Sequence, residues 1–148
     1  MLGKIILASK SKVRKKILDQ NNIPCEVQPS NIDEDVVKET LIGESVSSEI
    51  ISKNLAELKA NKVSLNHRDK MILGADSVID LNGELISKPD SRKDALLILR
   101  KLNGKKHFLI SSVCISRNGT MIWNYTDKAS LTMKNFSDRD LELYLKKI

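Results

Sequence analysis

Residues 7–18, LASKSKVRKKIL, lead from an apolar strand through a turn of serine and lysine into a basic helix. The Ile- and Leu-rich residues 4–8 predict a buried strand. Ser9 or Ser11 is placed to cap a helix that continues to about Asn21. A strand, a turn and a helix in this order predict the first βα unit of an α/β fold.

The basic start of this helix has two interpretations. Cations crowd its first turns at positions 10, 12, 14, 15 and 16. Cations are unfavourable there because the N-terminus is the positive end of the helix dipole. The free N–H groups of a helix N-terminus bind anions, so a bound phosphate would offset the repulsion between the cations and the dipole. Alternatively, the serine is only a cap and the lysines form a solvated face.

Composition narrows the range of functions. The chain has 148 residues, which suits one domain or two lobes that share a core. Its net charge of +6 favours an anionic ligand, either a small phosphate ester or nucleic acid, although lysine-rich chains also carry charge for solubility. Only 3% of the residues are aromatic, which leaves few stacking platforms and argues against nucleic-acid binding.

The cysteines and the N-terminus indicate a reducing compartment. Cys25 and Cys114 lie far apart in apolar segments without a C-x-x-C spacing, so we expect buried thiols and neither a disulfide nor a zinc site. Lys4 interrupts the N-terminal apolar run, which is not typical of a signal peptide, and no run approaches the length of a membrane span. We therefore expect a cytoplasmic protein without a membrane partner.

Further along the chain, a second short strand is expected at residues 25–29. An acidic segment follows that is too polar for a core and places Glu34 on a loop or at a helix start. Residues 47–63 then predict an amphipathic helix. Its apolar stripe is Ile50, Ile51, Leu55, Leu58 and Val63. Lys59 comes directly after Leu58, so we expect it at the edge of the buried face.

The second half of the chain predicts hairpins and two helices. Asn82 and Gly83 are typical of a tight turn between strands 71–81 and 84–86. A helix capped by Asp90 or Ser91 should extend to Leu102, with Gly104 as its stop. Residues 107–116 and 120–125 predict a second hairpin, and 129–133 a further strand. Ser137 opens a last helix with the apolar stripe Leu141, Tyr144 and Leu145.

Acidic and basic side chains on separate element ends suggest a common chemistry. Asp76 interrupts a buried apolar strand, which costs free energy unless the carboxylate is paired, hydrogen-bonded or binds a metal. Pro89 forces Lys88 into an extended backbone at the end of a hairpin. Two carboxylates with several cations suit phosphoryl-type hydrolysis, because carboxylate oxygens hold Mg²⁺ and cations neutralise a polyphosphate.

The order of these motifs resembles that of the Maf-like nucleoside triphosphate pyrophosphatases, which are related in fold to inosine triphosphate pyrophosphatases. LASKSKVRKKIL resembles the family's opening L-A-S-x-S-P-R-R-x-x-L-L, and NIDED its acidic segment. NLAELKANKV is similar to L-A-x-x-K-A-x-x-V, GADSVI to G-A-D-T-V-V, and LISKPDS to the L-G-K-P turn. LNGKKHFLISSV is similar to S-G-x-x-H-x-V-x-T-G-V. The matches extend through nearly the whole chain.

The resemblance implies an α/β fold with a mixed twisted sheet flanked by helices, and two lobes with a central cleft. It implies a hydrolase acting on phosphoric anhydrides, which converts non-standard, modified or excess nucleoside triphosphates to the monophosphate and pyrophosphate with Mg²⁺ or another divalent cation such as Mn²⁺. Members are often homodimers. The implied catalytic and metal-binding residues are Asp76 and Glu34, and the implied substrate-binding residues are Ser9, Arg14, Lys59 and Lys88.

Two departures from the family pattern bear on activity. The pair of arginines in the opening motif is Val13 and Arg14 here, and lysine does not replace the bidentate fork of arginine. The family also continues past the last helix into a G-E-x-x-x-x-A-G-x-Y segment, so we expect a single Maf-like domain over residues 1–148 that is C-terminally short. The alternative is a catalytically impaired nucleotide-binding or regulatory protein.

Overall fold

The computed structural model describes residues 3–148, which form six strands and five helices of an α/β fold. The strands are β1 (Ile5–Leu7), β2 (Cys25–Val27), β3 (Ile72–Leu81), β4 (Glu84–Ile86), β5 (Lys106–Arg117) and β6 (Thr120–Thr132). The helices are α1 (Lys12–Gln20), α2 (Glu34–Gly43), α3 (Ser48–Ser64), α4 (Arg92–Leu102) and α5 (Asp138–Lys146). None of these helices combines the length and apolar character that crossing a bilayer requires.

The strands form one mixed sheet in the order β2-β1-β3-β5-β6, and β4 pairs with β3. β1 is parallel to β2 and to β3, with Leu7 opposite Leu73. β4 is antiparallel to β3. The predicted mixed sheet flanked by helices is therefore confirmed. Because β1 and β3 are parallel neighbours in this register, the residues that follow Leu7 lie beside β3 just after Leu73.

The chain divides into two compact units, each with its own apolar cluster. The first comprises residues up to Ser77 and 111–127, and the second comprises 78–110 and 128–148. The cluster of the first unit is Ile6, Ala8, Ala56, Ala60, Val63, Ile72 and Cys114. That of the second is Leu81, Ile86 and Leu102, with Ile79, Ile98 and Met133 against it. The predicted cleft between two lobes stays a prediction.

In the described part of the chain, serine caps start four of the five helices; Ser137 was predicted for α5, and Ser11 and Ser91 were each one of two candidates for α1 and α4. Ser11, Ser47, Ser91 and Ser137 each accept a hydrogen bond from the backbone N–H three residues on. Such caps satisfy N–H groups that the first helical turn leaves without partners. Asp33 does the same for α2, so Glu34 lies at a helix start rather than in a loop.

The burial of α3 differs from the predicted stripe. Leu58 and Ile50 were expected in the core, but they are 42% and 47% exposed. Lys59 was expected at the edge of the buried face, yet it is only 5% exposed. Ile51, Leu55 and Val63 are buried as predicted, and small and polar residues share this face. β3 approaches it closely at Gly74, where an added Cβ would clash with the Ala56 carbonyl oxygen.

The second half of the chain follows the predicted pattern with two corrections. Asn82 and Gly83 both have positive φ and form the predicted tight turn between β3 and β4. Residues 120–125 and 129–133 were expected as two strands, but β6 runs without interruption to Thr132. Tyr144 was expected in the apolar stripe of α5, but it is 53% exposed, and Leu141 and Leu145 alone are buried there.

Both cysteines are buried free thiols, as predicted. Burial raises the pKa of the Cys114 thiol to about 11, with a smaller contribution in the same direction from the Glu57 carboxylate. A thiol with this pKa is protonated at neutral pH and is therefore a poor nucleophile.

Candidate active site

A buried lysine joins two carboxylates in the first unit. Nζ of Lys59 lies 2.6 Å from Oε1 of Glu34 and 3.2 Å from Oδ1 of Asp76. It also donates to the backbone carbonyl of Ala75 at 3.2 Å. The side chains of Lys59 and Asp76 are almost fully buried, whereas that of Glu34 is 32% exposed. The cluster therefore has a solvent-facing side at Glu34 and a closed side at Asp76.

The Asp76 carboxylate has one paired oxygen and one orphaned oxygen. Oδ1 accepts from Lys59, whereas Oδ2 is buried and has no hydrogen-bond partner among the described residues. Burial raises the pKa of Asp76 above its ordinary value, and the nearby Lys59 ammonium counteracts this only in part. A buried acceptor without a partner is costly, and such atoms are concentrated where a ligand or ion binds.

The sheet register explains why Lys59 reaches this place. β1 ends at Leu7, opposite Leu73, so β3 loses its parallel neighbour as it approaches Asp76. The Ala75 carbonyl points to the same side of the strand as the Leu73 carbonyl, which still accepts from Ala8 N–H. Lys59 supplies the donor that β1 no longer provides, and so satisfies a buried backbone acceptor.

The opening motif forms a second cluster in the same unit. Ser9 follows β1 and is 7% exposed. Its Oγ accepts from Ser11 N–H at 3.1 Å and from Nη1 of Arg14 at 3.3 Å. The structure therefore brings Ser9 and Arg14 into contact, with the arginine in the first turn of α1.

The other cations of α1 lie outside this contact. Lys15 pairs with Asp19 one turn later at 2.5 Å, on the solvent side of the helix. Val13, which stands where the family pattern has an arginine, is 67% exposed. The described part of the helix thus offers Arg14 as its one cation in contact with Ser9.

The family model for Maf-like proteins matches residues 4–148. This chain belongs to the Maf-like family. It is 67% identical over 148 residues to the nucleoside triphosphate pyrophosphatase of Pelagibacter ubique, an alignment that covers 100% of the chain and 76% of that relative. It is 38% identical over 141 residues to the nucleoside triphosphate pyrophosphatase of Ruegeria pomeroyi, covering 95% of the chain and 71% of the relative.

A solved structure supports the assignment of the fold. A HAM1 protein from Coxiella burnetii superposes with a TM-score of 0.50 at 15% identity, covering 88% of this Maf-like chain and 71% of that structure. At this identity the likeness concerns the fold alone.

The predicted site residues of the Maf-like chain fall into three places. Glu34, Lys59 and Asp76 share one cluster, and Ser9 and Arg14 share another. Lys88 belongs to the second unit, where it is exposed in the segment after β4. The contacts are observations, whereas the catalytic, metal-binding and substrate-binding roles that the resemblance implies stay predictions.

Sequence reasoning missed Ser52, a fully buried residue of α3. Its Oγ donates to the backbone carbonyl of Asp76 at 3.2 Å. Ser52 and Lys59 are seven positions apart, which places them two turns apart on one face of the helix. Ala56 lies between them on the same face, so the spacing of polar and small residues at 52, 56 and 59 was the signal that could have revealed it.

The donor set of the Maf-like cluster fits a hard divalent cation in part. Oδ2 of Asp76 is an orphaned carboxylate oxygen, and the Glu34 carboxylate lies on the other side of Lys59. Within residues 3–148 no group of three or more His, Cys, Asp or Glu side chains is gathered as a metal site. Two carboxylates, Asp76 and Glu34, could contribute oxygen ligands, and proteins commonly hold Mg²⁺ through one or two carboxylates together with substrate phosphates.

Proposed function

We propose that this Maf-like chain hydrolyses a nucleoside triphosphate to the monophosphate and pyrophosphate. The observation that carries the proposal is the 67% identity, over the whole chain, to a relative named nucleoside triphosphate pyrophosphatase. The cluster of Glu34, Lys59 and Asp76 supplies the carboxylates that this chemistry needs. The proposed substrates are non-standard, modified or excess nucleotides.

Asp76 and Glu34 are the proposed catalytic carboxylates. Attack on the α-phosphorus needs a water molecule that loses a proton, and a carboxylate with a raised pKa is a stronger base than an ordinary aspartate. Oδ2 of Asp76 carries no protein hydrogen bond among the described residues, so that oxygen is the proposed proton acceptor. Glu34, which is partly exposed, borders the same place.

Ser9, Arg14 and Lys88 are proposed to bind the triphosphate. Arg14 offers a planar fork that suits phosphate oxygens, and Ser9 orients it through their hydrogen bond. The N-terminus of α1 adds the positive end of a helix dipole, which attracts anions. Lys88, an exposed lysine in the segment after β4, is the further point charge that the family resemblance implies. Pyrophosphate is a highly charged leaving group, so these cations would stabilise the charge that develops on it.

Asp76 and Glu34 are also the proposed ligands of a divalent cation, Mg²⁺ or Mn²⁺. Bound there, the cation would neutralise phosphate charge and lower the pKa of a coordinated water molecule. We further propose a cytoplasmic location, in keeping with the two unpaired thiols, and leave the homodimer as a prediction from the family.

A product assay tests the proposed function. The chain is incubated with Mg²⁺ and a panel of standard and modified nucleoside triphosphates, and pyrophosphate and inorganic phosphate are measured separately. We expect pyrophosphate release from at least one triphosphate. Binding of triphosphates by calorimetry without any turnover would instead support the nucleotide-binding alternative, which the exposed Val13 in the arginine position motivates.

A further inference from the structure

The ammonium group of Lys59 is fully engaged by the protein itself. A lysine ammonium has three N–H donors and no acceptor. Three acceptors surround Nζ of Lys59: Oε1 of Glu34 at 2.6 Å, Oδ1 of Asp76 at 3.2 Å and the Ala75 carbonyl at 3.2 Å. Each donor therefore already has a partner, and a phosphate oxygen could bind only by displacing one of them.

We propose that Lys59 is a positioning residue that fixes the Asp76 and Glu34 carboxylates, and that it does not bind the substrate phosphate. The inference rests on the proposed function of the site. It assigns Lys59 a different role from the substrate-binding one that the family resemblance implies. Lys88 is exposed to solvent, whereas Lys59 is only 5% exposed.

The electrostatics of the cluster support this assignment. Without Lys59, no cation would stand between the two carboxylates that now share its ammonium group, and neighbouring like charges repel each other. One ammonium between them offsets this repulsion and sets the separation of the carboxylates. A substrate phosphate brought to Lys59 would add negative charge beside both carboxylates, which opposes binding there.

The helix holds the strand at two consecutive peptides. Lys59 donates to the Ala75 carbonyl, and Ser52, two turns away, donates to the Asp76 carbonyl. Both donors are buried on the same face of α3, and the absence of a side chain at Gly74 allows α3 to lie directly against the strand. The Asp76 backbone and one of its carboxylate oxygens are therefore both held by α3.

Steady-state kinetics of two variants test the assignment. Lys59→Met should lower kcat by about 10²-fold or more, the cost of a displaced catalytic group, while KM for the triphosphate stays within about twofold of the wild type. Lys59→Arg should be similarly impaired, because the guanidinium fork does not fit three acceptors around one point, whereas a phosphate-binding role would tolerate arginine well.

The matched control is Lys62→Met. Lys62 lies on the same helix and also donates to a backbone carbonyl at 3.2 Å, that of Asn31, but it is exposed and outside the cluster. It should retain both kcat and KM. A tenfold or larger rise in KM for Lys59→Met with kcat retained, or full activity of Lys59→Arg, would overturn the positioning role.

A measurement on the wild-type chain covers the case in which Lys59→Met does not fold. Spectra of ¹⁵N-labelled lysine ammonium groups should show a Lys59 signal in slow exchange with water, and titration with α,β-methylene-ATP should leave it in place. Loss of that signal or a large shift on titration would contradict the proposal. A protected Lys59 signal with no turnover on any triphosphate would overturn the proposed function and leave the positioning role standing.

Discussion

Asp76 destabilises the fold and is also the proposed catalytic residue. Its carboxylate is buried, one oxygen is paired with Lys59, and the other has no partner within the described chain. Burial is the main reason that its pKa is raised. A side chain that destabilises the fold in this way is typical of a functional site, where stability and activity oppose each other.

Asp76→Asn should therefore lose activity and gain stability. We expect kcat to fall by about 10²- to 10⁴-fold, the usual contribution of a catalytic base. Because the pKa of Asp76 is raised in the folded state, its favourable contribution to folding is complete below the ordinary aspartate pKa and is lost as the pH rises through the raised value. Thermal unfolding should thus show a higher Tm for Asp76→Asn at neutral pH, with the difference narrowing as the pH falls.

The control for this variant is Asp80→Asn, on the same strand. The Asp80 side chain accepts from Gly83 N–H in the tight turn, a bond that asparagine can also make. The Asp80→Asn substitution should therefore leave kcat unchanged. A fully active Asp76→Asn variant would remove Asp76 from the proposed catalytic role.

Val13→Arg should strengthen triphosphate binding. Val13 is 67% exposed in the first turn of α1, next to Arg14, so an arginine fits there without a clash and adds a second fork to the proposed phosphate site. We expect KM to fall by about tenfold, which corresponds to one charged hydrogen bond. Ile17 lies one turn further along the helix and is 51% exposed. Ile17→Arg adds the same charge there and should leave KM nearly unchanged. Equal effects of the two substitutions would indicate general electrostatic attraction instead of a specific site.

At the scale of elements, the packing of α3 on β3 determines where the cluster lies. Gly74 permits this packing because it presents no Cβ to the helix. Gly74→Ala would place a methyl group against the Ala56 carbonyl and 2.9 Å from Cβ of Ala60, within a fully buried interface. We expect a loss of about 1–3 kcal/mol, the usual cost of overpacking, measured by denaturant unfolding.

Gly43→Ala is the matched control for the packing prediction. A Cβ at Gly43, the last residue of α2, would meet no atom within 4 Å. Its unfolding free energy should match that of the wild type or exceed it slightly. Equal destabilisation of the two variants would show that the tight contact at Gly74 does not determine stability.

The contact between α4 and α5 in the second unit predicts a pH dependence. Arg100 donates to both carboxylate oxygens of Asp138, at 2.9 and 2.7 Å, and this guanidinium lowers the pKa of Asp138. A lowered pKa means that the stabilisation is present above the ordinary aspartate pKa and is lost as the pH falls through the lowered value. Asp138→Asn should lower Tm slightly at neutral pH and not at strongly acidic pH. Asp140→Asn removes a carboxylate from the same turn without breaking this pair, and a loss of Tm as large as that of Asp138→Asn would contradict the account.

Local signals predicted most element boundaries, and tertiary contacts explain the misses. Serine caps and the Asn-Gly turns specify backbone geometry through their own side chains, so they could be read directly. The burial of Lys59 in place of Leu58 could not be predicted from local sequence. It depends on Gly74 of a distant strand and on the Ala75 carbonyl that β1 leaves without a partner. The continuity of β6 likewise depends on pairing with β5 rather than on its own sequence.

At the scale of the whole molecule, the order of the motifs was more informative than any one of them. Each motif alone has an ordinary structural explanation, but their sequence along the chain predicted the Maf-like family, which the match over residues 4–148 confirms. The family pattern in turn indicated Ser9 with Arg14 and Glu34 with Asp76. It did not reveal that Lys59 joins the two carboxylates, because that contact is a property of the folded unit.

The central claim is that water attacks the α-phosphorus of a nucleoside triphosphate at the Asp76 cluster. The most direct measurement is hydrolysis in ¹⁸O-labelled water of the triphosphate that the chain cleaves best, followed by ³¹P NMR of the products. The account predicts ¹⁸O in the nucleoside monophosphate, unlabelled pyrophosphate, and no labelled product with Asp76→Asn. Label in pyrophosphate, or release of inorganic phosphate with a nucleoside diphosphate, would contradict it.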